Sequence, residues 1–460
     1  MEKRKMSFTN KVIERNGRLG ADTVDILTYA LQAVDPYTCV SRHIKLQGQT
    51  LIIGKTSLSL QQFERVFLIG FGKASVPMAK ALMDELGSVL SKAWVITKDP
   101  KFLSENGYLR KLTVYVGGHP VPTQESIQAT KTVINSLPAL TDKDLVLVVI
   151  SGGGSALFTD PVPGVSLEDL QQLTQLLLDC GAKISEINTI RKHLDWVKGG
   201  ALAMRLQPAH IETFILSDVI GDRLNMIASG PTVEDTSTFQ DALKIISKHN
   251  LKGQVPAGIL RHLEHERDGT LPGTVKPRQF PVDKVRNHLM GTNFLAAEAA
   301  YHRAQSLGYH AVIITTALTG RTKHIADFIE GIYATQSAYG HPIAKPACII
   351  FGGEPTVHVI GEGVGGRNMH LALRMVPKLA GKAGAVFVSL ATDGEDGPTD
   401  AAGAIVDGLV FKEGKQKFGL DLEAHIRNND AYHYHAKVGG LIKTGATGTN
   451  VNDLMLLLIE

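Results

Sequence analysis

Short apolar runs recur along the chain. Each is closed by a glycine-bearing turn and followed by helical periodicity. "RVFLIG" leads into "FGKASVPMAKALMDELG", with Val76, Ala79, Leu82 and Met83 on one helical face. "KAWVIT" and "LTVYVGG" follow, then a helix from about Gln124. "DLVLVVI" leads through "SGGGSALF" to the helix "SLEDLQQLTQLLLDCGA", and "IETFILSDVIGD" is the next strand. Runs rich in Val and Ile that alternate with helices predict parallel strands covered on both faces. The expected fold of this half is a Rossmann-like, open, mostly parallel α/β sheet.

From Lys252 the rhythm breaks. "KGQVPAGILRHLEHERDGTLPGTVKPRQFPVDKV" holds four prolines, mixed charge and no long apolar run. It predicts a linker or boundary region over 252–285. The rhythm then resumes with the helix "NFLAAEAAYHRAQSLG", the strand "HAVIITTAL", a helix from about Lys323, and the strands "ACIIFGGE" and "AVFVSL". Two α/β domains are expected, 20–251 and 286–460, with an active-site cleft between them.

Composition narrows the function classes. A chain of 460 residues exceeds one ordinary core. Its 48 basic and 45 acidic side chains nearly cancel, which gives no reason to expect a nucleic-acid or membrane partner. The longest apolar runs are strand length. Cys39, Cys180 and Cys348 are odd in number and lack metal spacing, which predicts a reduced, cytoplasmic protein. The charged start "MEKRKMSFTNKVIERNGR" has no apolar core to follow and is only a weak match to a mitochondrial transit peptide.

Ligands of open α/β sheets bind beyond the carboxyl ends of the strands, so the residues just after each strand carry the chemistry. In "LIGFGKAS", Gly70 and Gly72 permit a tight turn, Ser75 opens a helix, and Lys73 adds a mobile cation. The Walker spacing is missing. In "ISGGGSALF", Ser151 and Ser155 bracket Gly152, Gly153 and Gly154, whose N–H groups suit a phosphate or carboxylate. Asp218 and Asp222 follow a strand and suit Mg²⁺ or a proton. In "GEGVGGRNMHLAL", Arg367 and Asn368 open a helix among glycines. A cation there opposes the helix dipole unless it has an anion to grip.

"ATDGEDGPTDAAGA" fails the EF-hand pattern. Mg²⁺ takes only one or two carboxylates and completes its shell with water and phosphate, which Asp393 and Asp396 could supply. Glu395 and Asp400 are left to solvent or turn capping. The hydroxyls and amides of "TGATGTNVNDL" suit a nucleotide or polyol pocket. His433 and His435 lie two apart, off one helical face, and His119 in "GGHPVP" is as readily a loop residue as a catalytic one. Lysine, arginine, amide-lined loops and strand-end aspartates are the parts that phosphoryl transfer needs.

The sequence resembles the class II glycerate kinases, the glycerate 2-kinase group whose C-terminal domain is named MOFRL. The resemblance runs from about Asp22 to Leu457. It is carried by "GFGKAS", "GGHPVP", "SGGGSALF", "INTIRKHLDWVKGGALA", "SDVIGDRLNMIASGPT", "GGEPTVHV", "GGRN", "TDGEDGPTDAAGA" and "TGATGTNVNDL". It implies phosphorylation of D-glycerate by ATP with Mg²⁺, at the 2-hydroxyl; the sequence leaves a homodimer open as a partner state. The family's catalytic lysine and arginine fall on Lys73 and Arg367, with Arg191 and Lys192 as helpers. Asp195, "GRTKH", Met369, His370 and Ala446 depart from the family's usual residues. From the residues alone, two rivals remain. One is a nicotinamide-dependent hydroxypyruvate reductase, which "GFGKAS" half supports, although Ser91 and Lys92 stand where the ribose-binding acid belongs. The other is a non-catalytic binder of phosphorylated small molecules.

Overall fold

The computed structural model describes residues 8–267, 269 and 271–460. The first seven residues of the charged N-terminal stretch, and 268 and 270 of the expected boundary region, lie outside the described residues. The chain divides into two compact units. One spans Pro36–Met290, and the other joins the residues up to Asp35 to Gly291–Glu460.

The Pro36–Met290 unit carries a small antiparallel sheet of β1 (Ile44–Gln47), β2 (Thr50–Ile53) and β3 (Thr56–Ser59). Its main sheet contains β4 (Arg65–Phe71), β5 (Leu90–Thr97), β6 (Leu112–Val116), β7 (Asp144–Ile150), β8 (His210–Leu216) and β9 (Val285–Gly291), in the order β6-β5-β4-β7-β8-β9. The four pairings from β6 to β8 are parallel. Every residue of β7 is buried, as an apolar run covered on both faces requires. Phe71 pairs with Ile150 and with Ile96, so the carboxyl ends of β4, β5 and β7 are level.

The region 252–285 is not a linker. It lies within this unit and contains the helix Ala257–Arg267. Val255, Ile259 and Leu263 are buried in a cluster with Leu170, Leu173, Ile187 and Ile246. Their spacing of four is a helical stripe that the surrounding prolines and charges obscure.

The second unit has a mixed sheet of β10 (His310–Arg321), β11 (Ala347–Thr356), β12 (Ala385–Ala391), β13 (Gly403–Asp407), β14 (Leu441–Ile442) and β15 (Asp453–Ile459), in the order β10-β11-β15-β12-β13-β14. β10 and β11 are parallel, and β15 runs antiparallel between β11 and β12. This C-terminal strand is buried throughout. Its first residue, Asp453, pairs with Gly353 on one side and Ala391 on the other. It therefore sits at the carboxyl ends of both neighbours. The helix Gly17–Ala33 also belongs to this unit, and buries Ile26, Leu27, Ala30 and Leu31 in its core. The expected domain start near residue 20 cuts through it. No described helix is long and apolar enough to cross a membrane.

Candidate functional site

In the Pro36–Met290 unit, the level ends of β4 and β7 bring two glycine loops together. Lys73 N donates to Gly152 O at 2.9 Å, and Ala74 N donates to Ser151 Oγ at 2.9 Å. Gly72 has φ 122°, and a Cβ there would collide with Ser151. Only glycine lets the loops approach this closely. The Gly152 and Gly153 N–H groups donate to no other described residue. A Cβ on Gly152 would strike the Asp218 carboxylate, and one on Gly153 would lie 2.7 Å from His119 Cδ2. These two unpartnered amides, on buried Gly152 and half-buried Gly153, thus lie beside one carboxylate and one imidazole.

Burial, then Lys73 and Lys98, lower the His119 pKa to about 4. The ring is neutral near pH 7 and leaves the positive charge here to the lysines. Sequence alone leaves His119 as readily a loop residue as a catalytic one. Its signal is its place directly after β6, the same position that marks the other loops. Asp222 lies further along the β8 loop with φ 51°, and burial raises its carboxyl.

Several expected ligand-binding groups are occupied inside the fold. Ser75 is buried and its hydroxyl donates to Gly72 O at 2.7 Å. The hydroxyl expected to face phosphate is thus engaged within its own loop. Lys192 is buried with Nζ 3.1 Å from Asp235 Oδ1, so its charge is spent. Ser155 Oγ bonds Ser229 Oγ at 2.9 Å, and Gly154 N donates to Ser151 O. Arg191 lines a small pocket of about 30 Å³ together with Ser155, Thr174 and Asp195. Burial lowers its pKa, with Asp195 opposing. Asp195 itself accepts from Lys198 Nζ and Thr159 Oγ1, each at 2.5 Å. Both of these partners are themselves buried.

In the second unit, the helix Arg367–Leu379 starts beside the ends of β11 and β12. Arg367 Nε and Nη2 donate to the two oxygens of Asp453, at 2.6 and 3.0 Å, and Nη1 donates to Glu354 Oε1 at 2.7 Å. The clash between this cation and the helix dipole is thus met by the protein's own carboxylates. One N–H on each terminal nitrogen has no partner among the described residues. Burial, against the pull of Arg367, pushes the Asp453 carboxyl up to about 7.

Asp396 is 2% exposed, and its two oxygens accept from Asn368 N at 3.0 Å and Met369 N at 2.7 Å. It caps the first turn of this helix from a distant segment, the N-cap residue itself being Gly366. Asn368 is fully buried, gives a side-chain bond to Asp396 at 3.3 Å and accepts from Ser389 Oγ at 2.6 Å. These positions bear on two expectations. Both Asp396 oxygens accept backbone N–H groups, and the Asn368 side chain bonds within the fold to Asp396 and Ser389. Burial raises the Asp396 carboxyl to about 6.

Asp393 is half-buried and accepts from Glu395 N at 3.1 Å. Its own carbonyl accepts from Thr447 N. Gly394 packs on the Gly445 carbonyl with φ 90°, so the acidic stretch and the C-terminal Thr/Gly loop form one surface. Asp400 faces outward, paired with Lys443 and Tyr432, as expected of a solvent-side residue. Glu354 and Asp453 are the residues that sequence reasoning left without a role. Both stand at a strand end, but their common partner Arg367 is distant along the chain.

Among the described residues no group of three or more His, Cys, Asp or Glu could hold a metal ion. A dedicated protein cage for zinc or calcium is therefore absent there, whereas a magnesium ion held by one carboxylate and phosphate oxygens needs no such group.

Residues 22–264 match a domain of unknown function, DUF4147, and residues 347–453 match the MOFRL family. A D-glycerate 2-kinase of Thermotoga maritima is 43% identical over 405 residues, spanning 88% of this chain and 93% of its own. A glycerate 2-kinase of Pyrococcus horikoshii is 39% identical over 434 residues, spanning 94% and 95%. The crystal structure of a glycerate kinase from Thermotoga maritima aligns with a TM-score of 0.84 at 40% identity, covering 96% of this chain and 99% of that one.

Proposed function

The chain belongs to the glycerate kinase family that carries a MOFRL segment, and on that premise we infer that it transfers the γ-phosphoryl group of ATP to the 2-hydroxyl of D-glycerate. The observation that carries the reading is the pair of glycine loops at the ends of β4 and β7. There the Lys73 backbone is bonded to Gly152, beside the unpartnered N–H groups of Gly152 and Gly153. Backbone amides and a cation in this arrangement hold phosphate oxygens without reorganising.

An acid beside such a nest would repel phosphate unless a cation intervened. Asp218, against Gly152, therefore fits as the residue that holds Mg²⁺ in this unit. Asp393 is the corresponding candidate in the other unit. An ion held there would supply positive charge to offset that of the phosphates. The remaining work falls to the chain. Lys73 holds the phosphate. The two unpartnered N–H groups of Arg367 grip a substrate carboxylate or the transferring group, in a plane fixed by Asp453. Glu354, whose side chain is 43% exposed, accepts the hydroxyl proton as the new P–O bond forms and the bond to ADP breaks.

The test is substitution. Lys73→Ala and Arg367→Ala should each lose more than about 100-fold in kcat, with the far-UV circular dichroism of the folded protein retained. Near wild-type turnover in either variant removes that residue from the mechanism.

A further inference from the structure

Residues 357–366 join β11 to the helix that opens with Arg367. Four glycines within them, Gly361, Gly363, Gly365 and Gly366, would ordinarily leave such a segment with wide conformational freedom. The structure shows the opposite. Five consecutive N–H groups, from Ile360 to Val364, all donate to one three-residue turn, Asn428–Asp430. Ile360 N and Gly361 N share Asn429 Oδ1 at 2.8 and 3.1 Å. Glu362 N reaches Asn428 Oδ1 at 3.1 Å, Gly363 N reaches Asn428 O at 2.8 Å, and Val364 N reaches Asp430 Oδ1 at 3.1 Å. Asn429 Nδ2 returns a bond to His358 O at 3.2 Å, and Tyr432 N returns one to Val364 O at 2.9 Å.

The glycines serve this contact. A Cβ on Gly361 would lie 2.5 Å from Asn428 Cα, and one on Gly363 would lie 2.5 Å from Asp430 Cβ. Asn429 is buried, with φ 56°, a left-handed conformation that asparagine tolerates better than most residues. Burying a side chain to satisfy a row of amides on an irregular loop is costly unless the course of the loop matters. The anchored segment runs directly into Gly366 and Arg367.

We infer that Asn429 is a positioning residue for the kinase reaction: it fixes the glycine loop that aims Arg367. The inference rests on the reading of Arg367 given under the proposed function. Loss of the Asn429 side chain frees the 358–361 segment, and a displacement of Arg367 by about 1 Å is enough to cost on the order of 100-fold in rate.

Asn429→Gly keeps the left-handed backbone and removes the side chain. Asn429→Asp keeps the oxygen that two amides share. Steady-state kinetics with ATP and D-glycerate should show kcat reduced about 10- to 100-fold in Asn429→Gly. Its KM for ATP should stay within about threefold, and Asn429→Asp should restore most of the loss. In an Arg367→Ala background, Asn429→Gly should cost nothing further, because the two act as a unit. Should Asn429→Gly fail to fold, Asn428→Ala removes only the Glu362 contact and should lower kcat in the same sense. Arg367→Ala is the control. Wild-type turnover in that variant overturns the role of Arg367 itself. If Arg367→Ala is inactive while folded Asn429→Gly, or Asn428→Ala in its place, turns over like wild type, the positioning role of the turn is overturned and that of Arg367 stands.

Discussion

Arg367 and Asp453 are joined by two nearly parallel hydrogen bonds, 2.6 and 3.0 Å long, between a helix start and the first residue of the C-terminal strand. The side chain of Asp453 is fully buried and that of Arg367 is 33% exposed. The pair fixes the plane of the guanidinium, which a point charge cannot reproduce. Arg367→Lys should therefore lower kcat by about 10²-fold or more although the charge is kept. It should also destabilise the fold by less than the about 3–5 kcal/mol of a fully buried broken pair. Kinetics and thermal denaturation of the same preparation check both parts.

Asp396 offers a separate test, because capping and metal binding predict different outcomes. Removing a buried cap by Asp396→Ala should cost about 1–2 kcal/mol of stability, read by urea denaturation. The Mg²⁺ concentration giving half-maximal activity of the surviving folded enzyme should not change. A large rise in that concentration would show that Asp396 contacts the metal after all.

Gly72→Ala should be more damaging than an exposed Gly→Ala change. Alanine rarely adopts φ 122°, and its methyl group would run into Ser151. Parting the two loops separates Lys73 from Gly152. Loss of more than about 1 kcal/mol of stability together with a raised KM for ATP is the expected outcome. Gly381→Ala is a suitable contrast, since its φ of 74° is also left-handed but a Cβ there meets nothing within 4 Å. It should lose stability and leave KM unchanged.

His435 is completely buried and burial lowers its pKa to about 4. Nε2 lies 3.0 Å from the Met369 carbonyl, so it carries the proton of the neutral ring. An unfolded histidine titrates near 6.5. The unfolded chain therefore binds more protons between these values, and stability falls as pH drops from about 6.5 to about 4. His119 and His370, each also near 4, add to the same slope. For His435 alone the change is on the order of 3 kcal/mol. His435→Gln should flatten the acid limb of the melting temperature against pH without moving the plateau above pH 7.

Features written locally were legible in the sequence. The start of the helix at Ser75 and the turn at Gly72 are set by neighbouring residues, and so are the glycines after β7 and the helical start at Arg367. Relationships across long separations escaped. Asp396 caps a helix that begins 29 positions before it, and Asp453 meets Arg367 86 positions away. Nothing near "GEDG" or "NDL" announces those partners. The helix Ala257–Arg267 escaped for a different reason. Its apolar stripe is narrow, and the prolines on either side signal a break more strongly than the stripe signals a helix. The N-terminal helix Gly17–Ala33 joins the unit at the far end of the chain, a pairing that local pattern cannot encode.

The central claim is phosphoryl transfer to D-glycerate. It is tested most directly by incubating the purified protein with ATP, Mg²⁺ and D-glycerate, following ADP, and identifying the product by ³¹P and ¹³C NMR. The account predicts stoichiometric ADP and a phosphate ester on the 2-hydroxyl, 2-phospho-D-glycerate. Absence of ADP formation with glycerate, or reduction of hydroxypyruvate at the expense of NADH in its place, would contradict it.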